Sequence, residues 1–241
     1  MAQGNVLFVQ GMKAPRNDPN GPKAMAQAAE AYRRYLDLET SRKPENLPTL
    51  ALAWERLGTI QARQGDNVAA LASQTMALTL DSAAPSLRRM RGWNLMNQWR
   101  AAALSDFEEG LKSTPALDDK IDLHLGRGYL LAQKGDIPGA LSDLKQIELL
   151  SKDKPMNLLN ASTILAQVAG QQRKAKGGQS EEAKKSVDAM AAMISAAMEK
   201  IPPMSRPAIW GRFKADEGFD PVRDMETFQK LDKQFAPPGK P

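Results

Sequence analysis

Ala53–Ser82, AWERLGTIQARQGDNVAALASQTMALTLDS, is the stretch that decides the fold. Apolar residues recur at helical spacing on both sides of Gly65-Asp66, a pair suited to a tight turn followed by a helix start. Gly58 and Ala70 are small where two helices must cross closely, and Trp54 and Leu57 fill the groove beside them. A helix-turn-helix unit of this kind cannot bury its own apolar face, so neighbours must cover it.

The order of these residues resembles one complete tetratricopeptide repeat (TPR), a unit of about 34 residues. Numbered from Ala51, Trp54 takes position 4, Leu57 position 7, Gly58 position 8, Gly65 position 15, Ala70 position 20 and Ala77 position 27. The position-20 alanine recurs at Ala28, Ala103, Ala140 and Ala183, which sets intervals of 42, 33, 37 and 43 residues along the series. Insertions between helices cost little loop entropy, which accommodates the spread.

Each copy departs from the pattern in its own way. Ala28, Tyr32 and Tyr35 read as the second (B) helix of a repeat whose first (A) helix is missing or degenerate. The array is therefore expected to start mid-repeat, with residues absent upstream. From Ala84 to Pro115 the B helix matches through Ala103, Phe107 and Gly110, but Arg91 stands where the small crossing residue belongs. Either that crossing is wider or the register slips by one to Gly92. Asp119 to Ser151 repeats the turn at Gly135-Asp136, with Gly128 at the crossing and His124 at position 4. A last pair joins Met156–Ala169 to Ser180–Ile201 through GQQRKAKGGQSE, a polar, basic stretch expected to be a mobile loop.

The tail has a different character. Asp220-Pro221-x-Arg223 followed by Phe228-x-x-Leu231 resembles the segment that closes TPR regions in bacterial proteins, including those attached to serine/threonine kinases. Asp220 is suited to cap a helix that has Pro221 at its first position. Phe228, Leu231 and Phe235 would then cover the open end of the last repeat, as solenoids require. The expected plan is a poorly defined extension over residues 1–20, a TPR-like array over 21–201 and a capping segment over 202–241. The expected fold class is all-α, a right-handed α-solenoid of about four helix pairs with a C-terminal capping helix.

Composition limits the chemistry. The 241 residues are 42% hydrophobic, 25% charged and only 5% aromatic, the balance of a folded and not a disordered chain. With no cysteine, disulfides, thiolate metal sites and cysteine nucleophiles are excluded, and His124 is the single histidine. The formal charge of +5 allows a weak preference for acidic partners. MAQGNVLFVQGMKAP has no charged segment before its apolar run and does not read as a signal peptide. No window approaches a membrane span, so a soluble, cytoplasmic protein is expected, and a processed fragment fits as well.

No catalytic motif survives. Gly126-Arg127-Gly128 lacks the strand that a phosphate loop needs, and kinase signatures are absent. His124 reads as a packing residue. Met190, Met193, Met198 and Met204 read as core. Arg88, Arg89, Arg91 and Arg100 are interleaved with Asp106, Glu108 and Glu109, which reads as a solvated face rather than a nucleic-acid stripe.

The resemblance implies a concave face lined by A-helix positions. In this chain those include Glu55, Thr59 and Arg63, then Arg88, Leu95 and Met96, then Leu125, Tyr129 and Gln133. The family's carboxylate clamp, a lysine with an asparagine one turn on, has no counterpart here: Glu55 precedes Thr59, and Leu125 precedes Tyr129. The function so implied is a non-catalytic scaffold that binds a protein or peptide segment of acidic character, with no cofactor or metal. A regulatory region of a larger bacterial signalling protein is the alternative, and an anionic-polymer binder ranks behind both.

Overall fold

The computed structural model describes residues 1–15, 18–40, 46–96, 99–176 and 180–235. All the regular structure among them is helical, and it clusters into two compact units, Met1–Pro115 and Ala116–Pro241.

The first unit holds three helix pairs: α1 (Ala2–Lys13) with α2 (Asn20–Thr40), α3 (Leu47–Arg63) with α4 (Asn67–Leu80), and α5 (Pro85–Leu95) with α6 (Arg100–Lys112). The start of α3 is set locally. The Asn46 side chain accepts the Thr49 N–H at 3.0 Å, and Pro48 sits in the first turn where no N–H is needed. The helix stops at Gly65, whose φ of +82° suits glycine, and Asp66 starts α4 by accepting the Ala69 N–H at 3.0 Å. Between the helices Gly58 leaves room for its partner: a Cβ there would lie 3.0 Å from Gln74 Cγ and 3.2 Å from the Ala70 carbonyl oxygen.

Two features of this unit differ from the sequence reading. Residues 2–13 are not an extension but the A helix of a complete first pair, so α2 is no half-repeat. Gly4 takes the crossing place, where a Cβ would lie 3.0 Å from the Tyr32 ring, and the Tyr32 hydroxyl donates to Asn5 Oδ1 at 3.0 Å. In the third pair the register slips. A Cβ at Gly92 would lie 2.6 Å from the Phe107 ring, so Gly92 is the crossing residue and Arg91 precedes it. The core runs from Met25, Tyr32 and Leu36 of α2 to Leu50, Leu57 and Ile60 of α3, and the half-buried Trp54 joins it to Ala77, Leu78 and Leu87.

The second unit pairs α7 (Leu117–Lys134) with α8 (Ile137–Leu150) and α9 (Pro155–Lys176) with α10 (Glu181–Glu199). The α7–α8 turn repeats the chemistry of the α3–α4 turn: Gly135 has φ +89°, and Asp136 accepts the Gly139 N–H at 3.1 Å. Helix α9 continues through Lys176, into the stretch expected to be a loop. The tail holds it there. Pro221 lies over Gly170, where a Cβ would come within 2.6 Å of the proline Cβ. Arg173 reaches the Pro221 carbonyl at 2.6 Å and grips both oxygens of Asp224 at 2.7 Å. The rest of that expected loop, residues 177–179, lies outside the described residues.

The chain closes with α11 (Arg206–Phe213), a 3-10 turn over Glu217–Val222 and α12 (Glu226–Phe235). Phe228, Leu231 and Phe235 are buried, and Trp210 is sealed between Phe228 and Phe235 at centroid distances of 5.8 and 5.9 Å. Asp220 does not cap this segment. Asp216 does, accepting the Gly218 N–H at 2.7 Å, while Asp220 accepts from Arg223 Nε at 2.6 Å and Pro221 lies within the turn. The turn packs along α9, with Gln167 donating to the Gly218 carbonyl at 2.7 Å. It thereby covers a face of α9 that a further A helix would otherwise cover.

Candidate functional site

The polar side chains inside the helix pairs are committed to one another. Three residues after the position-20 alanine, α6 and α8 each bury an aspartate, Asp106 and Asp143. Arg91 grips Asp106 through both oxygens at 2.8 and 2.7 Å, and Arg127 grips Asp143 at 2.9 and 2.6 Å. One turn earlier, Arg88 approaches Asp106 at 3.5 Å, and His124 Nδ1 lies 2.7 Å from Asp143. The pairs on either side put a serine at the aspartate's place and pair it with a glutamine from the facing helix: the Ser73 hydroxyl donates to Gln61 at 2.7 Å, and the Ser186 hydroxyl donates to Gln172 at 2.8 Å. A buried carboxylate with a bidentate guanidinium is a strong, geometry-fixing contact.

These locks correct the reading of Arg88, Arg91 and Asp106 as a solvated face. The sequence carried a signal for it: with Gly92 as the crossing residue, Arg91 and Arg127 occupy equivalent places, each followed at the same distance from an alanine by an aspartate. His124 is buried, as a packing residue should be, but its partner Asp143 escaped the sequence reading. Among the methionines, Met190 and Met198 are in the core, Met193 is half-buried and Met204 is 97% exposed, so Met204 is not core. Among the described residues no group of three or more His, Cys, Asp and Glu side chains gathers as for a metal ion, and no helix is long and apolar enough to cross a membrane.

Each unit carries its own set of the expected contact residues. On α3, Glu55, Thr59 and Arg63 follow one another at four-residue spacing along one face. The Thr59 hydroxyl donates to the Glu55 carbonyl at 3.0 Å and lies 3.5 Å from Met90 Sδ. Arg63 is exposed and has no side-chain partner among the described residues. On α5 the register slip turns Arg88 toward α6, where it also donates to the Ser82 carbonyl at 3.1 and 3.0 Å. Leu95 is half-buried and Met96 is buried. The slip hands the Arg88 place on that face to Arg89, a residue the unslipped register overlooked.

In the second unit, Leu125, Tyr129 and Gln133 form the corresponding row on α7. Leu125 is buried, whereas Tyr129 and Gln133 are half-buried. The Gln133 carbonyl accepts from Gln171 on α9 at 2.7 Å, so the lower end of this row is also where α7 meets α9. That row offers an apolar base and a phenol. It has no assembled acid, base or nucleophile.

No known family model matches the chain, and no curated protein matches it in sequence. Solved structures do. The type IV pilus biogenesis factor PilW is 17% identical over 96% of this chain and 91% of its own, with a TM-score of 0.59. A tetratricopeptide repeat protein from Parabacteroides merdae is 17% identical over 99% of this chain and 82% of its own, with a TM-score of 0.61. Yeast Tom70 is 13% identical over 96% of this chain and 53% of its own, with a TM-score of 0.51. Identities this low speak to architecture, and the architecture agrees with the recurring glycine crossings and Gly-Asp turns: the chain has the tetratricopeptide-repeat fold, an all-α solenoid of helix pairs.

Proposed function

We propose that this protein is a non-catalytic interaction module that holds a peptide segment of a protein partner against its A-helix faces. The observation that carries the reading is the row Glu55, Thr59 and Arg63, which ends in an exposed guanidinium with no partner among the described residues. The half-buried arginines Arg91 and Arg127 are spent on Asp106 and Asp143 inside their helix pairs, so Arg63 differs from them in being available to a ligand. An available arginine selects for a carboxylate, which favours a peptide with at least one acidic side chain. Half-buried Tyr129 on α7 supplies aromatic contact in the second unit, over the buried Leu125. Folds of this kind serve many partners, so the partner is defined by this face rather than by the fold.

The test is selection of peptides from a random display library on the full chain, followed by titration against variants. Arg63→Glu should weaken acidic ligands about tenfold or more, the effect of losing one charge-assisted contact. Tyr129→Ala should weaken ligands that bind on the second unit. Arg88 is left out because its guanidinium is already engaged by Asp106 and Ser82. If selected ligands bind Arg63→Glu and Tyr129→Ala as tightly as the unaltered chain, the A-helix faces are not the site. The alternative, a regulatory region of a larger signalling protein, rests on the resemblance of the closing segment alone.

A further inference from the structure

Arg56 on α3 is half-buried and grips no carboxylate among the described residues. Its Nη1 donates to Asn5 Oδ1 at 2.5 Å and to the Tyr32 hydroxyl at 3.2 Å. Its guanidinium carbon lies 5.2 Å from the centre of the Phe8 ring, within reach of a cation–π contact. Tyr32 is itself fully buried and donates to the same Asn5 oxygen. Three neutral side chains therefore hold the group in place, and their hydrogen bonds use one of its three nitrogens.

The other two nitrogens, Nε and Nη2, have no partner among the described residues. They are not sealed inside the unit either. Among the described residues, the buried side-chain nitrogen and oxygen atoms without a partner are Gln133 Oε1 and Ser151 Oγ. The Nε–Nη2 edge of Arg56 is thus open to solvent. Arg91 and Arg127 close this same edge on Asp106 and Asp143, each through Nε and Nη2. Arg56 presents the fork of these locks without an intramolecular acid. A guanidinium fixed in advance also spares a ligand the cost of ordering it.

Arg63 follows seven residues later, two turns along the same stripe of α3, and Leu57–Ala62 between them carry no charge. The rise from one arginine to the other is about 10 Å. A peptide in the polyproline II conformation points every third side chain the same way, at intervals of about 9 Å.

We propose that α3 reads two acidic side chains three residues apart in an extended peptide, one gripped by the Nε–Nη2 edge of Arg56 and the other met by Arg63. This rests on the peptide-binding reading above and adds to it the spacing of the ligand's charges.

Titration of the full chain with dye-labelled peptides blocked at both ends tests this, since blocking leaves the side chains as the sole carboxylates. One peptide carries Glu-Pro-Pro-Glu, a second Glu-Pro-Pro-Gln, and a third two glutamates six residues apart in the same proline frame. The first should bind about tenfold more tightly than the second, the gain from one charge-assisted fork. The third spaces its acids by about 19 Å and should bind no better than the second. Arg56→Gln should bring the first peptide down to the second, and Arg56→Lys, which keeps the charge but not the fork, should restore little. Circular dichroism checks that the variants stay helical, and the comparison among peptides needs no variant. Failure of the first peptide to bind overturns the proposal, as does equal binding of all three or an unweakened Arg56→Gln. If single-acid peptides still lose affinity to Arg63→Glu in those cases, peptide binding on α3 stands without this spacing. If no peptide responds to Arg63→Glu, that reading has failed as well.

Discussion

At the residue scale, Asp143 and Gly92 determine most about their helix pairs. Asp143 is fully buried and answers both Arg127 and His124. Asp143→Ala takes the carboxylate away from the half-buried Arg127 guanidinium and the buried His124 ring, a loss of charged hydrogen bonds that should cost about 1.5–3 kcal/mol. Ser73→Ala removes only a neutral hydrogen bond at the same place in the α3–α4 pair and should cost about 1 kcal/mol. Urea midpoints compare the two, and equal shifts would show that the carboxylate is no lock. For Gly92 the sign of the effect is diagnostic. On an exposed helix face Gly→Ala stabilises by up to about 1 kcal/mol, but a methyl 2.6 Å from the Phe107 ring should destabilise by about 1–3 kcal/mol. Small residues at crossings were legible in the sequence because they are rare enough to recur visibly. The locks were not, because an arginine and an aspartate fifteen or sixteen residues apart look the same whether they face water or each other.

At the element scale, the closing segment shows where local pattern and tertiary contact part company. Its apolar residues Phe228, Leu231 and Phe235 were legible as a cap from their helical spacing and their place after the last pair. The helix start at Asp220-Pro221 was not realised, because the turn is shaped by α9 through Gln167, Gly170 and Arg173. The same contacts kept Gly170–Lys176 helical against a composition that reads as loop. Short α1 was illegible for a related reason: with no charged residue before Lys13, its period is ambiguous. The cap also carries an acid response. Hydrogen bonding from Lys214, with a smaller contribution from the Trp210 indole, holds the Asp232 carboxyl below its ordinary 3.8, and Arg173 does the same for Asp224. Carboxyls lowered on folding contribute stability that is complete above their ordinary value and lost as pH falls through the lower folded one. The Trp210 indole N–H resonance should therefore hold steady down to about pH 4 and shift below it. Asp232→Asn should abolish that shift. A resonance that moves identically in the variant would place the response elsewhere.

At the scale of the whole molecule, a chain of helix pairs should lose order from the site of damage outward. Stability in such arrays is a sum of pair and nearest-neighbour terms. Phe219 is a suitable place to weaken one end, since it is fully buried in the 3-10 turn and packs on Phe213 and Phe228 at centroid distances of 5.8 and 5.6 Å. Phe219→Ala should cost about 3–5 kcal/mol and loosen the turn from α9. Helix α9 then exposes Thr163, Gln167 and Gly170, which the turn had covered. Amide hydrogen exchange should accelerate most in α9 and α10, less in α7 and α8, and least in the three pairs of the first unit. A uniform acceleration from α1 to α10 would mean that the chain unfolds as one cooperative body, and the additive picture of its stability would have to be abandoned. A graded response would instead locate the low-stability end at the cap, where the Arg173 contacts to Pro221 and Asp224 are what keep the last seven residues of α9 helical.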